Sequence, residues 1–182
     1  DGDTAAPRYP FLGTKFADVV DFTKAYADSL GLHCDFTFGT LWPFGGSFVE
    51  NREATKKYGD TACRQWIRFS WEHPVQGRVL NHMDSMALKR YAVKILEGLG
   101  PAMDGSPSGW FCDSWEVHTR QMWTEGFAEK FKEEFGYDIE PYIEEIYKPE
   151  NAPVHYDYMK LVSDYVIDEF YAPFTEIAHQ HN

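Results

Sequence analysis

The sequence predicts an α/β fold, more specifically part of a (β/α)8 TIM barrel with about three or four core strands and intervening helices. Three short runs rich in aromatic and β-branched residues, at 32–38, 78–83 and 110–115, have the composition of strands. Segments with a helical spacing of apolar residues separate these runs, and strands joined by helical crossovers pair in parallel. The hydrophobic content of 43% is enough for a core around such a sheet.

The length of the chain limits how much of a barrel it can form. A complete barrel needs eight strands and about 250 residues, whereas this chain has 182 residues and stops at Asn182, directly after a predicted helix. We therefore expect 1–182 to be a fragment of a larger barrel. The alternative is a small open α/β sheet that is complete in itself, although its edges would be exposed and its core thin.

Local signals place the remaining elements. Residues 1–14 contain two prolines and two glycines without periodicity and are predicted to be an entry loop, and 50–77 resembles an insertion with an extra short strand at 65–71. Helices are predicted at 15–30, at 86–99, from Thr119 or Thr124 to Gly136, briefly around Pro141, and from about 155 to 180 with a bend at Pro173. The stripe of Trp123, Phe127, Phe131 and Phe135 is interpreted as core packing.

Composition excludes some partners and leaves others open. The net charge of -12 argues against nucleic acid and against an anionic membrane surface, which both require a positive face. No run approaches the roughly 20 apolar residues of a membrane span. Core packing explains most of the 17% aromatic content, but sugars also stack on aromatic rings, so a neutral carbohydrate is a compatible partner. The chain begins at Asp1, from which we expect a removed leader or upstream domain and a secreted or periplasmic, bacterial-type location.

Candidate functional residues come directly after each of the three predicted core strands. In parallel sheets and barrels the functional end is the carboxyl end of the strands. Three segments occupy these positions: the loop with Trp42 after the first strand, 81–84 after the second, and 113–116 after the third. The coincidence of polar and aromatic residues at three successive strand ends is more informative than any one of them alone.

Glu116 is the most informative of these residues. We expect a carboxylate at a strand terminus, partly walled by Trp115, to be desolvated, which favours its protonated form and suits a general acid. Glycoside hydrolysis needs two carboxyl groups flanking the bond, about 5–5.5 Å apart in retaining enzymes and about 6.5–9.5 Å apart in inverting ones. The candidates for the second carboxyl are Asp35, Asp84 and a residue beyond Asn182.

Each candidate also has a structural alternative. Glu116 at the start of the next helix can pair with Arg120, and Asp84 is well placed as the N-cap of the helix at 86–99. His82 can bind a sugar hydroxyl, ligate a metal or occupy a polar site in the core. Asp35, Trp42, His82, Asp84, Asp113 and Trp115 are the predicted lining of a sugar site.

Several segments together resemble one enzyme family. The stretch 35–46, Asp-Phe-Thr-Phe-Gly-Thr-Leu-Trp-Pro-Phe-Gly-Gly, looks like the strand and loop of glycoside hydrolase family 106, the α-L-rhamnosidases. Residues 113–116, Asp-Ser-Trp-Glu, resemble that family's Asp-Ser-aromatic-Glu strand end. The segments 123–127 and 134–142 and the long helix from Tyr156 to His181 resemble the family's next segments along the chain. The resemblance covers most of 30–182, and 50–77 differs or is shortened.

The resemblance implies a (β/α)8 barrel, hydrolysis of terminal α-L-rhamnosides with inversion, and dependence on calcium, whose ligands it does not assign to positions here. It makes Glu116 the general acid and puts the second catalytic carboxylate on a later strand, outside this chain. The expected function is therefore that of a glycosidase acting on oligo- or polysaccharides. The alternatives are a non-catalytic carbohydrate-binding barrel fragment and a different barrel glycosidase, such as a β-galactosidase-like enzyme.

Overall fold

The computed structural model describes residues 9–39, 43–63, 66–67, 77–103, 107–112 and 114–181. Helices and short strands are mixed along this part of the chain. The helices are α1 (Thr14–Ser29), α2 (Ser85–Leu99), α3 (Phe127–Phe135), α4 (Glu140–Ile143), α5 (Ala152–Val166) and α6 (Ala172–Gln180), with 3-10 turns at Asn51–Glu53, Gly100–Met103 and Pro149–Asn151. The strands are β1 (Phe36–Thr37), β2 (Gly45–Gly46), β3 (Lys56–Lys57), β4 (Trp66–Ile67), β5 (Gly77–Val79), β6 (Trp110–Phe111) and β7 (Met122–Trp123).

β1 and β6 pair in parallel, as the sequence predicts. Phe36 lies opposite Trp110 and Thr37 opposite Phe111. The Phe36 amide donates to the Gly109 carbonyl at 2.9 Å, and the Phe38 amide donates to the Phe111 carbonyl at 3.2 Å. Both strands are shorter than the predicted 32–38 and 110–115, because regular pairing is confined to these residues.

The predicted parallel pairing of the second core strand is wrong. β5 lies between β2 and β4 and is antiparallel to both, so it belongs to a different sheet from β1 and β6. The reason is the glycine pair of β2, which brings the backbone of the 43–49 loop against β5. A Cβ at Gly77 would overlap the carbonyl group of Gly46, so this close approach requires glycine.

The third sheet consists of β3 and β7, which are antiparallel, with Lys56 opposite Trp123 and Lys57 opposite Met122. The sheets of the described residues are thus small and separate, and these residues do not close a barrel. The coarse prediction of a mixed helix and sheet fold holds.

α1 and α2 begin and end within one residue of the predicted 15–30 and 86–99, whereas α3 begins at Phe127, later than the predicted Thr119 or Thr124. α2 begins where Asp84 caps it: the Asp84 Oδ1 atom accepts from the Met86 amide at 2.9 Å and the Ala87 amide at 3.1 Å. Such a cap stabilises a helix by about 1 kcal/mol. α3 ends at Gly136, whose φ of 80° is the left-handed conformation of a glycine C-cap.

The long C-terminal helix contains a π-helical turn at Ile167–Tyr171, between α5 and α6. Pro173 sits in the first turn of α6. Proline lacks an amide hydrogen, and its ring would clash with the carbonyl four residues earlier in a regular helix, so a widened turn before it relieves both problems. The widened turn lies directly before the position at which the sequence predicts a bend, Pro173.

The apolar core has two parts. One joins the loop after β1, α2 and α6, and its buried members include Phe38, Phe44, Leu88 and Phe174. The other joins β7, α3, α4 and α5, and Phe127, Phe131 and Ile143 are fully buried in it. Within the described residues, no helix is both long enough and apolar enough to cross a membrane.

Candidate functional site

An open cleft of about 430 Å³ lies between the β3 strand, the segment after β5 and the start of α3. This volume is within the range of about 300–1,000 Å³ that small-molecule sites occupy. Its lining residues are Arg52, Ala54, Lys56, Lys57, Gly59, Asp60, Asn81, Asp84, Trp123, Thr124, Glu125, Gly126, Phe127, Ala128, Glu129 and Glu140. Asn81 and Asp84 belong to the second predicted strand-end segment, so the sequence located one wall of the cleft.

The segment after β5 is held rigidly. The buried Asn81 side chain accepts from the Met83 amide at 3.1 Å and donates from its Nδ2 atom to the Thr124 Oγ1 atom at 3.2 Å. The Asn81 amide donates to the Glu53 carbonyl at 2.8 Å. These hydrogen bonds tie three separate parts of the chain together at the cleft. Asp84 contributes a carboxylate whose Oδ1 atom is already engaged as the α2 cap.

Lys56 and Trp123 face each other across the β3–β7 ladder. Directly opposite residues of an antiparallel pair project to the same side of the sheet, so these two side chains are neighbours. Both are half-buried. The Trp123 ring is oriented by edge contact with Tyr58, at 4.7 Å between centroids, and by Phe127 at 4.8 Å.

The other cations of the cleft are paired with acids. The Lys57 ammonium lies 3.5 Å from the Glu144 carboxylate, and the Arg52 guanidinium lies 2.9 Å from Glu50. Lys56, in contrast, forms no hydrogen bond or ion pair with another described residue. Its ammonium, with three donors, is the cation of the cleft that is available to a ligand.

Glu116 lies outside the cleft. It is five residues beyond the end of β6 and its side chain is exposed. The Ser114 hydroxyl donates to its Oε1 atom at 3.2 Å. Trp115 is half-buried against the second part of the core, and its Nε1 atom is buried. The expected desolvation of Glu116 by Trp115 is therefore wrong for the free protein, because Trp115 packs into the core and leaves the carboxylate in water.

The remaining predicted residues are dispersed. Asp35 is exposed, and its Oδ1 atom accepts from the Gly109 amide at 2.6 Å, where it braces the entry to the β1–β6 pair. Trp42 and Asp113 lie outside the described residues. Of the predicted sugar-site residues, Asp84 lines the cleft, whereas Asp35, His82, Trp115 and Glu116 do not.

His82 is a core residue. It is only 4% exposed, its Nδ1 atom lies 2.9 Å from the Leu80 carbonyl, and its ring lies 4.2 Å from that of Phe170. Because a carbonyl only accepts, Nδ1 carries the hydrogen. Burial lowers the pKa of His82 to about 4, although the bond to Leu80 opposes this shift. The neutral core alternative therefore describes His82 better than a sugar contact or a metal ligand.

The described residues include no group of three or more histidine, cysteine, aspartate or glutamate side chains arranged to hold a metal. Among the cleft acids, Asp84 caps α2, and Glu140 accepts from the Tyr58 hydroxyl at 3.3 Å. Calcium dependence stays a prediction from the family resemblance.

Comparison with protein-family models, with curated proteins and with solved structures finds no match to this chain. The resemblance to rhamnosidases thus stays a prediction from the motifs.

Sequence reasoning missed Lys56, Thr124 and the orientation of Trp123. The apolar spacing places Trp123 in a helical stripe, but α3 starts only at Phe127, after Gly126 with a φ of 77°. Gly126 was the sequence signal for this start, because a glycine in the left-handed conformation directly before Phe127 places Trp123 outside the helix. Lys56 lies in a polar segment and carries no signal of its own.

Proposed function

We propose that this chain binds carbohydrate and forms part of the catalytic (β/α)8 domain of a rhamnosidase-like glycoside hydrolase. The observation that carries the proposal is the cleft, where an indole, an amide, a hydroxyl, a carboxylate and an available ammonium meet within one open site. Sugars present C–H faces and many hydroxyls, and this mixture of one aromatic ring with several donors and acceptors suits both.

The position of Glu116 supports its assignment as the acid. Barrel enzymes carry their catalytic groups beyond the carboxyl ends of parallel strands. Glu116 comes after β6, which is one of the two strands that pair in parallel. Its exposure leaves the carboxyl accessible to a substrate, and the Ser114 hydroxyl restricts its orientation.

In the proposed reaction, the protonated Glu116 carboxyl gives its proton to the glycosidic oxygen as the bond to the anomeric carbon breaks. A water molecule gives a proton to a second carboxylate as its oxygen attacks the anomeric carbon from the opposite face and forms the new C–O bond. Inversion requires the two carboxyl groups to be about 6.5–9.5 Å apart. The resemblance puts that second carboxylate on a later strand of the full-length protein, and Asp84 is less suited because its Oδ1 atom caps α2.

The proposal includes a secreted or periplasmic location, where polymeric carbohydrate is encountered. Cell fractionation of the native host, with detection of the protein in the periplasm or medium, tests this part. Finding the protein only in the cytoplasm would contradict it.

A panel of nitrophenyl glycosides tests the reaction on the full-length protein. We expect hydrolysis of the α-L-rhamnoside of this panel, and for Glu116→Gln a loss of about 10²–10⁴-fold in kcat on an α-L-rhamnosyl disaccharide, the usual contribution of a general acid. Glu176→Gln, an exposed glutamate on α6, is the matched control and keeps full activity. Preferential hydrolysis of the β-galactoside would favour the β-galactosidase-like alternative.

A non-catalytic carbohydrate-binding protein is the second candidate. The observation that favours it is the separation of the cleft from Glu116, since a sugar can occupy the cleft without meeting that carboxyl. Sugar binding without hydrolysis of any glycoside in the panel would establish this alternative.

A further inference from the structure

α1 presents apolar side chains on two of its sides. On the inner side, Phe16 and Val20 pack against the core, and the helix rests against α2 and the Gly100–Met103 turn. The outer side is open to solvent and carries a second row of apolar side chains, which we call the outer stripe. Its members are Val19, Phe22, Tyr26 and the C-cap residue Leu30, and each has between 48% and 69% of its surface exposed.

The outer stripe is a continuous surface and not a set of scattered side chains. Residues three or four positions apart are neighbours on a helix, and the members of the stripe follow one another at these intervals. The Phe22 and Tyr26 rings are nearly parallel, with 6.1 Å between their centroids and 4° between their planes. Single exposed hydrophobic residues are common on protein surfaces, whereas a contiguous row of this kind marks an interaction site.

The spacing of the outer stripe is symmetric. Lys15 lies one helical turn before Val19 and therefore continues the stripe toward the amino end of α1. Val19 and Tyr26 are equally far along the chain from the midpoint between residues 22 and 23, and so are Lys15 and Leu30. Two antiparallel copies of α1 that meet at this midpoint place Val19 of each against Tyr26 of the other, with both Phe22 rings beside the twofold axis. A twofold dimer requires such a self-complementary surface.

The charge of Lys15 also favours an antiparallel second copy. The amino end of a helix is partially positive and its carboxyl end partially negative. Lys15 lies in the first turn of its own helix, where a cation is unfavourable, and the last turn of α1 contains no basic residue. In the antiparallel pair each Lys15 ammonium lies at the carboxyl end of the other copy, beside Leu30. A parallel pair would instead bring the two ammonium groups together.

The area of the outer stripe is sufficient for a weak dimer. A large aromatic side chain presents about 150–250 Å², so Phe22 and Tyr26, at 69% and 60% exposure, contribute about 250 Å². With Val19 and Leu30 the stripe offers about 350 Å² of apolar surface per copy. Slightly more than half of the area of an ordinary interface is apolar, which corresponds to about 600 Å² per copy. The total of about 1,200 Å² for two copies is at the lower end of the range for specific complexes.

We propose that the outer stripe of α1 is a dimer interface, on which a second copy of this chain docks antiparallel. Phe22 is its centre, Val19 and Tyr26 pack against each other on either side of the axis, and Lys15 meets the carboxyl end of the second α1. The interface goes beyond the proposed function and does not depend on it, because α1 contributes no residue to the cleft. The competing occupants are a different protein and another part of the same polypeptide, and either would leave the protein monomeric.

Sedimentation velocity of the full-length protein over a range of concentrations measures the dimer directly. We expect a reversible monomer–dimer equilibrium with a Kd on the order of 10 μM, as the modest area implies. Phe22→Asp should raise this Kd at least about 30-fold, because it puts a charge at the centre of the interface in both copies. Tyr156→Asp, which changes a similarly exposed ring on α5, is the matched control and should leave the Kd unchanged. A monomer at about 100 μM protein, or equal association of both variants and the wild type, would overturn the interface.

Disulfide formation tests the antiparallel register. Val19→Cys and Tyr26→Cys are oxidised separately and as a mixture, with the wild type as the background for the native cysteines. We expect the mixture to give a cross-linked dimer well above this background, whereas each variant alone gives little. Cross-linking of Val19→Cys with itself would contradict the antiparallel arrangement. Lys15→Glu should raise the Kd about tenfold, since it places an anion at the negative end of the other helix in both copies. An unchanged Kd in that variant would contradict the contact of Lys15 with the helix end.

Discussion

Acidification is expected to destabilise this protein through His82. The imidazole is 4% exposed, packs against the Phe44 and Phe170 rings and carries its hydrogen on Nδ1, which donates to the Leu80 carbonyl. Protonation would add a charge at Nε2 inside this apolar site. The cost of burying that charge is the reason that the pKa of His82 falls from 6.5 to about 4.

The size of the effect is set by the two pKa values. Because the pKa is lower in the folded protein, the stabilisation is present in full above 6.5 and is lost as the pH falls from 6.5 through about 4. A fall of the pKa from 6.5 to about 4 corresponds to about 3 kcal/mol at the acid limit. At pH 5, where the unfolded imidazole is largely protonated and the folded one is not, the loss is about 2 kcal/mol.

Urea unfolding followed by tryptophan fluorescence at pH 7 and pH 5 measures this loss. His82→Asn places an amide nitrogen at the position of Nδ1 and does not titrate, so comparison with it cancels the contribution of the carboxylates. We expect the wild type to lose about 2 kcal/mol more than His82→Asn between the two pH values. His179→Asn, at the exposed end of α6, should behave like the wild type. Parallel curves for wild type and His82→Asn would refute the reasoning.

Two further substitutions test the packing around the β2–β5 contact and the Glu53–Arg90 ion pair. Gly77→Ala should destabilise the protein by about 3 kcal/mol in urea unfolding, because the added Cβ overlaps the Gly46 backbone. Gly59 has open space around it, so Gly59→Ala should cost only about 1 kcal/mol, for its φ of 77°. Similar costs for the two would contradict the close approach. Arg90→Met should cost about 2–3 kcal/mol at pH 7, since it leaves the Glu53 carboxylate, 3% exposed, without its guanidinium partner. Burial raises the pKa of Glu53, but the Glu50 amide and Arg90 outweigh this effect and hold the pKa below 4.5. The ion pair therefore stabilises the protein above pH 4.5, and the penalty of Arg90→Met should shrink as the pH falls below that value. A penalty that does not change with pH would contradict this account.

Local sequence signals predicted the helices because their causes are local. Asp84 caps α2 through its own side chain, Gly136 ends α3 through its own backbone, and Pro173 imposes the widened turn before α6. Each signal lies within a few residues of the feature that it causes, so one sequence is enough to locate it.

The arrangement of the strands could be predicted only in part. The β1–β6 pairing obeys the rule that strands joined through helices are parallel. The position of β5 depends on a contact between Gly46 and Gly77, which are 31 residues apart in the chain (77 − 46). No local pattern encodes such a contact. The short β2 strand consists of glycines alone and therefore lacks the composition of a strand.

The residues of the candidate site could likewise be predicted from the sequence only in part. Asn81 and Asp84 are strand-end residues in the sequence and do line the cleft. Lys56 and Trp123 become neighbours only through the β3–β7 ladder, which joins residues far apart in the chain. The exposure of Glu116 also depends on tertiary packing. The Trp115 indole packs against the core and therefore does not shield the Glu116 carboxylate from water.

The dependence of Glu116→Gln on the leaving group tests the central claim most directly. A general acid matters most when the departing oxygen is basic and least when it is already a good leaving group. For the full-length protein, we expect Glu116→Gln to lose about 10²–10⁴-fold in kcat/KM on an α-L-rhamnosyl disaccharide and much less on the 2,4-dinitrophenyl α-L-rhamnoside. Equal losses on the two substrates, or near-normal activity of the variant on the disaccharide, would contradict the assignment of Glu116 as the acid.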